Sequence, residues 1–460
     1  MWMFRCVLLF ILILQIVTTN TYADSSSSGR IQRLDWNGVD VVWLQDDQFP
    51  TYSLVVYFAD GSLSDSKNEF GVTNAMFNLL PSGTRRYGQK DISDYLEFYG
   101  ASLDANITHE YSTYSVSGLA KDIIPTMKQV CQLFSDATFP ANEIEKEKRR
   151  AIEKMKNLVN DHSSLASMIF REVSMQGTPY SYPSSGKIAD LKKIGQISLR
   201  KKLEYFSKRV KKRIYITGPK EVLAIKPVLN EECGWKGSAN DYTRLMQGNP
   251  SAAPTGKIIY VNVPNANQAQ IRIGKFLKQD EIQRDDLMAL TSSFLGGGFT
   301  SKLMRAVRYK GGLTYSISAI AAGQKEYGRS FIATFTKNES VSQLLDVVKS
   351  TIAEASDNSF TDDEFELARG YLVGSYPFGF EKSEAYLAQI ITLEHEGRPL
   401  DELYSFPDKI KKLSRKETAN FVQTLYPWND MTILILGDKK VGKELSQKMK
   451  MEIYDYQQFL

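Results

Sequence analysis

The chain states one pattern twice. Phe139-Pro140-Ala141-Asn142-Glu143-Ile144-Glu145 opens a helix with an acidic cluster, and Phe360-Thr361-Asp362-Asp363-Glu364-Phe365-Glu366 does the same further on. Acidic groups there complement the positive end of a helix dipole. Arg213-Ile214-Tyr215-Ile216-Thr217-Gly218 and Thr432-Ile433-Leu434-Ile435-Leu436-Gly437 are apolar runs that stop at glycine, as buried strands do. Matching order over both halves predicts a tandem duplication of an α+β unit of roughly 200 residues, each a mixed or antiparallel sheet backed by helices.

In the first half the pattern predicts strands over 39–44 and 53–58, paired strands over 102–119, and helices over 71–80, 91–99, 124–137 and 141–159. Asp91 is the expected N-cap of the second helix. In the second half it predicts strands over 257–263, 269–274, 315–322 and 330–336, and helices over 286–295, 341–355 and 361–376. Residues 246–256 are small, polar and rich in Pro and Gly, the expected linker between units at 31–245 and 257–445.

The N-terminus has the pattern of an export signal. Arg5 precedes an apolar run over 7–17 broken only by Gln15, and Thr21-Tyr22-Ala23 places small residues where a signal peptidase reads. Residues 1–23 are the expected leader, with a bacterial periplasm as destination; the competing reading is an uncleaved anchor, which the short run disfavours. Cys6 precedes the apolar run, too early to be a lipid-attachment site. Beyond the leader only Cys131 and Cys233 remain, too few for a disulfide framework. Cys131 lies in an apolar helical pattern and reads as core, and a single bridge to Cys233 stays open. A net charge of +4 and scattered basic runs such as 208–213 argue against a nucleic-acid-binding face.

One segment carries chemistry by what it lacks. Gly71-Val72-Thr73-Asn74-Ala75-Met76-Phe77-Asn78-Leu79-Leu80-Pro81-Ser82-Gly83-Thr84 resembles the zinc helix of the pitrilysin, insulinase and mitochondrial-processing-peptidase family. That family carries H-x-x-E-H between similarly placed glycines, and its fold pairs two α+β domains into half of a peptide chamber. The resemblance covers nearly all of the chain beyond the leader. Asn74, Phe77 and Asn78 fall where the two imidazoles and the catalytic carboxylate belong, on one helix face. Amides are weak neutral ligands, and a phenyl group accepts no proton. The third ligand position, a glutamate in the family, falls at Lys154, whose ammonium repels a cation; Glu153 would point about 100° away round the helix. The three histidines, His109, His162 and His395, have no i, i+4 spacing and read as surface or hydrogen-bonded side chains. The resemblance therefore implies no metal and no catalytic residue in this chain.

The second half keeps more. Arg308 and Tyr315, within Arg308-Tyr309-Lys310-Gly311-Gly312-Leu313-Thr314-Tyr315, match the family's Arg and Tyr, seven residues apart, which bind the substrate peptide and its carbonyl. A guanidinium and a phenol both donate to such an oxygen. The competing reading is a surface ion pair for Arg308 and a sheet-core position for Tyr315. Gly296-Gly297-Gly298 reads as a helix end and turn, since no phosphate-loop pattern surrounds it. The run from Gln176 to Pro183 resembles a family loop fixed by prolines. The expected function is that of an exported non-catalytic subunit of a heterodimeric zinc endopeptidase, supplying Arg308 and Tyr315 to a homologous partner that holds the zinc. The alternative is a stand-alone peptide-binding or scaffold protein.

Overall fold

The computed structural model describes residues 31–237 and 255–460. The expected leader and all but the last two residues of the expected linker lie outside the described residues.

Two six-stranded mixed sheets carry the fold. The first contains β1 (Ile31–Trp36), β2 (Val39–Gln45), β3 (Thr51–Phe58), β4 (Ser102–Ile107), β5 (Ser112–Leu119) and β6 (Lys212–Gly218), in the order β1-β2-β6-β3-β5-β4. The second contains β7 (Ile258–Asn262), β8 (Gln268–Leu277), β9 (Ile317–Gly323), β10 (Gly328–Lys337), β11 (Thr432–Gly437) and β12 (Glu452–Asp455), in the order β12-β7-β11-β8-β10-β9. Five strands correspond one to one. β2 runs parallel to β6 as β7 does to β11, and the remaining inner pairs are antiparallel in both sheets. The copies differ at one edge. The first is closed by the antiparallel hairpin partner β1, the second by β12, which returns from the C-terminus to pair in parallel with β7. The second unit thus extends past the expected end at 445, because β7 would otherwise be an unpaired edge.

Helices α1 (Val72–Leu79), α2 (Gln89–Phe98), α3 (Ile123–Asp136), α4 (Ala141–Asn157), α5 (His162–Ser174) and α6 (Gln196–Lys208) follow in the first half. The second half has α7 (Asp285–Gly296), α8 (Val341–Ser356), α9 (Asp362–Ser375) and α10 (Ser383–Glu396), with further helices to its end. Asp91 is not the N-cap of α2. It sits one turn inside, where its carboxylate accepts from the Gly88 N–H at 3.0 Å.

One face of each sheet is covered by helices of its own half. Leu54, Val56 and Ile214 pack under α1, α3 and α6, and Ile271, Ile332 and Ile435 under α7 and α8. The opposite faces are covered by exchange. Leu165, Ile169 and Phe170 of α5 pack on Ile259, Val261 and Leu434 of the second sheet. Tyr386, Leu387 and Ile390 of α10 pack on Val42, Leu44 and Tyr215 of the first. Both central strands are therefore buried on both sides, which accounts for their uninterrupted apolar runs. Each fully buried Leu, Ile or Phe in these exchanged helices contributes about 1.5–3 kcal/mol, so neither half keeps its outer face covered alone. A Cys131–Cys233 disulfide ties α3 to the segment leaving the first unit, closing the alternative that the sequence left open. No helix among the described residues is long and apolar enough to cross a membrane.

Candidate functional site

α1 is held from its N-terminus. Gly71 has φ 87°, and a β-carbon there would lie 2.3 Å from the Ser185 carbonyl oxygen, so only glycine fits. Asp65 accepts from the Gly71 N–H at 2.9 Å and the Thr73 hydroxyl at 2.5 Å, and Lys202 approaches it at 3.0 Å. Burial raises the Asp65 carboxyl, with Lys202 opposing that shift.

The side chains where a zinc site would stand do not fit zinc. Asn78 donates from Nδ2 to Asn74 Oδ1 at 3.1 Å, so the Asn74 oxygen is engaged by its neighbour. Phe77 does not share their face, as the spacing implied. It is 1% exposed and turned into the core, its ring 5.3 Å from Phe58, 5.2 Å from Phe206 and 6.1 Å from Tyr114. Lys154 is exposed on α4. Among the described residues, no group of three or more His, Cys, Asp or Glu is placed to hold a metal ion.

Two histidines expected as surface or satisfied groups are buried where the two halves meet. His395, near the end of α10, contacts the Tyr57 hydroxyl through Nδ1 at 2.8 Å and Glu110 through Nε2 at 2.9 Å. His109 donates from Nε2 to the Tyr182 carbonyl at 2.8 Å, and burial lowers it to about 4, so it is neutral at pH 7. The 176–183 loop does more than turn the chain. Tyr180 stacks on Tyr327 of the second half at 3.7 Å and donates to Glu110 at 3.1 Å.

Arg308 lies in a π-helical turn, Arg305–Lys310, a form that widens a helix and re-aims its side chains. No carboxylate among the described residues pairs with it. Its guanidinium lies over the rings of Phe299 and Tyr309, 5.5 Å from each centroid. Tyr315 was expected inside a strand, but β9 begins at Ile317, and Tyr315 is 77% exposed before it. Neither the surface ion pair nor the sheet-core position holds. Gly296 and Gly297 bring the end of α7 against its surroundings: a β-carbon at Gly296 would meet Ala319 N at 2.1 Å. Gly298 faces open space and borders a groove of about 400 Å³ between Phe299 and the Leu367–Tyr371 face of α9. An aromatic-walled surface with an unpaired guanidinium can stack on side chains and donate to a carbonyl or carboxylate.

Residues 41–186 match the insulinase model of peptidase family M16, and residues 216–372 match the model of the M16 inactive domain. The chain belongs to the M16 peptidase family. It is a non-catalytic member. The non-peptidase homolog YmxG of Helicobacter pylori is 23% identical over 419 residues, covering 90% of this chain and 95% of that one. The uncharacterized zinc protease YmxG of Bacillus subtilis is 22% identical over 354 residues, 77% of this chain and 85% of that one. The peptidase M16 inactive domain from Pseudomonas fluorescens superimposes with a TM-score of 0.78 at 20% identity, over 89% of this chain and 98% of that one. Its fold is the fold of this M16 chain.

Sequence reasoning missed Glu110, Arg171 and Arg329, which the structure gathers between the halves. No motif announces them; only the exchange of helices brings them together.

Proposed function

We propose that this M16 chain is an exported, non-catalytic subunit of a heterodimeric zinc endopeptidase, in which Arg308 and Tyr315 complete the substrate site of a zinc-bearing partner. One observation carries the reading: Arg308 has no carboxylate partner among the described residues, and it stands on two rings close in sequence to an exposed tyrosine. Such a pair would be maintained for a group outside the chain. The residues at the zinc positions favour placing the metal in the partner. The disulfide supports export, since such bonds persist in oxidising compartments and a periplasm is one. A relative named as a subunit of the cytochrome b-c1 complex, 26% identical over 212 residues, supports the idea that chains of this kind work within assemblies.

The test is co-purification from the native host, with identification of any chain recovered at one-to-one ratio and a peptidase assay on the complex. Arg308→Ala with Tyr315→Ala should lower turnover about a hundredfold, the loss of one oxyanion-type donor being about 10²–10³, and leave the complex assembled. Unchanged turnover in the double variant removes the role. Recovery of the chain alone and inactive favours the peptide-binding scaffold instead.

A further inference from the structure

A cavity of about 540 Å³ lies between the halves, walled by the β4–β5 turn, α5, residues 181–185 and the β9–β10 hairpin. Arg171 of α5 and Arg329 of β10 both line it. Neither guanidinium has a carboxylate partner or a hydrogen-bond acceptor among the described residues. Arg329 lies over the Phe331 ring at 5.4 Å. The carboxylates on the same wall are already engaged. Glu172 is paired with Lys187 at 2.7 Å, and Glu110 receives the Tyr180 hydroxyl at 3.1 Å and lies 2.9 Å from His395 Nε2.

A neighbouring arginine shows how this fold satisfies a buried guanidinium when it means to. Arg272 of β8 is 3% exposed and donates to the carbonyls of Ser163, Ile271 and Thr334 and to the hydroxyls of Ser163 and Ser167. Arg171 and Arg329, both half-buried, receive nothing comparable and line one cavity instead. Burial lowers Arg329 to about 10, and Arg171 adds repulsion in the same direction. Two like charges facing one cavity repel, and an anion between them removes that repulsion. The remaining wall adds the Ser184 and Ser185 hydroxyls and the second Nε2 proton of Gln324, whose first goes to the Gly323 carbonyl at 3.0 Å.

We propose that this cavity binds a small oxyanion, a phosphate or a carboxylate group, between Arg171 and Arg329. The ligand draws one charged group from each half, so it fastens the β9–β10 hairpin to α5 and the first unit. The site is separate from Arg308 and Tyr315 and stands whether or not these serve a partner's substrate.

Isothermal titration of the purified chain would use inorganic phosphate in one arm. A second arm would use a short peptide with a free C-terminal carboxylate, with its amide as control. One equivalent should bind in at least one arm. Arg171→Ala and Arg329→Ala should each weaken it about tenfold, the loss expected for one charge-assisted hydrogen bond, and Arg305→Ala should not. Phosphate binding identifies a phosphoryl ligand; binding of the free acid but not the amide identifies a carboxylate. The bound anion should also raise the melting temperature of the wild-type chain and not that of Arg329→Ala. Should Arg329→Ala fail to fold, Arg171→Ala, on the face of a helix, carries the test alone. Absence of binding in both arms, or binding unchanged in both variants, overturns the proposal.

Discussion

Restoring the missing carboxylate at Phe77 should unfold this protein before it restores any chemistry. Phe77 is 1% exposed and packs against Phe58, Phe206, Tyr114 and Phe134, with centroid distances of 5.3, 5.2, 6.1 and 6.5 Å. Truncating a phenylalanine in such a setting costs about 3–5 kcal/mol. Phe77→Glu refills part of that space but puts a carboxyl among four rings that carry a single polar group, the Tyr114 hydroxyl. It must stay protonated or drag in water, at a cost of about 1–3 kcal/mol more. The sum, about 4–8 kcal/mol, is comparable to the whole stability of many domains, about 5–15 kcal/mol. Asn74→His with Asn78→His changes a half-buried and an exposed position and should stay within about 1 kcal/mol of wild type. The assay is urea unfolding followed by tryptophan fluorescence, because Trp235 stands edge-on to Phe134 at 5.5 Å and reports on this cluster. The double-histidine variant should unfold with the wild-type midpoint, and adding Phe77→Glu should lower it sharply or leave no folded protein. If Phe77→Glu unfolds within about 1 kcal/mol of wild type at an unchanged slope, then Phe77 is no core anchor and this reasoning is wrong.

Removing the disulfide should also be costly. Its sequence separation of 102 residues gives about 4.7 kcal/mol in the chain-entropy account. Cys131→Ala with Cys233→Ala should lower the urea midpoint accordingly, and a loss below about 1 kcal/mol would show that the open chain is already compact. His109 is pushed down to about 4 from 6.5 by burial, so between those values the unfolded chain binds the extra proton. Stability should therefore be full above pH 6.5 and fall as pH drops toward 4, by about 3 kcal/mol. Melting curves of His109→Gln should lack that part of the acid slope. Gly71→Ala should destabilise α1 by at least about 1–2 kcal/mol, since φ 87° is left-handed backbone and the added methyl meets the Ser185 carbonyl; an unchanged melting temperature would mean the 185–186 loop moves away freely.

The sequence by itself determined the duplication, the α+β class and the loss of the zinc ligands. These follow from local features: strand and helix periodicity, glycine punctuation and the chemistry of residues 74, 77, 78 and 154. The core strands over 39–44, 213–218 and 432–437 were legible for the same reason. Boundaries were less so. Asp91 moved inside its helix because Gly88 starts the turn. Tyr315 fell outside its strand because β9 pairs with β10 only from Ile317 onward. What only the tertiary structure decided is how the halves complete each other. Helix α5 lies on the second sheet and α10 on the first, and β12 crosses back to close an edge. That exchange buries His395 against Glu110 and brings Arg171 and Arg329 to one cavity, while packing within each half turns Phe77 to the core and leaves Arg308 on the rings of Phe299 and Tyr309. Arg171 and Arg329 stand 158 positions apart in sequence, and no local pattern records which of the surrounding groups has taken each charge. Pairing in space decides that, and it is settled only when both sheets have found the helices that cover them.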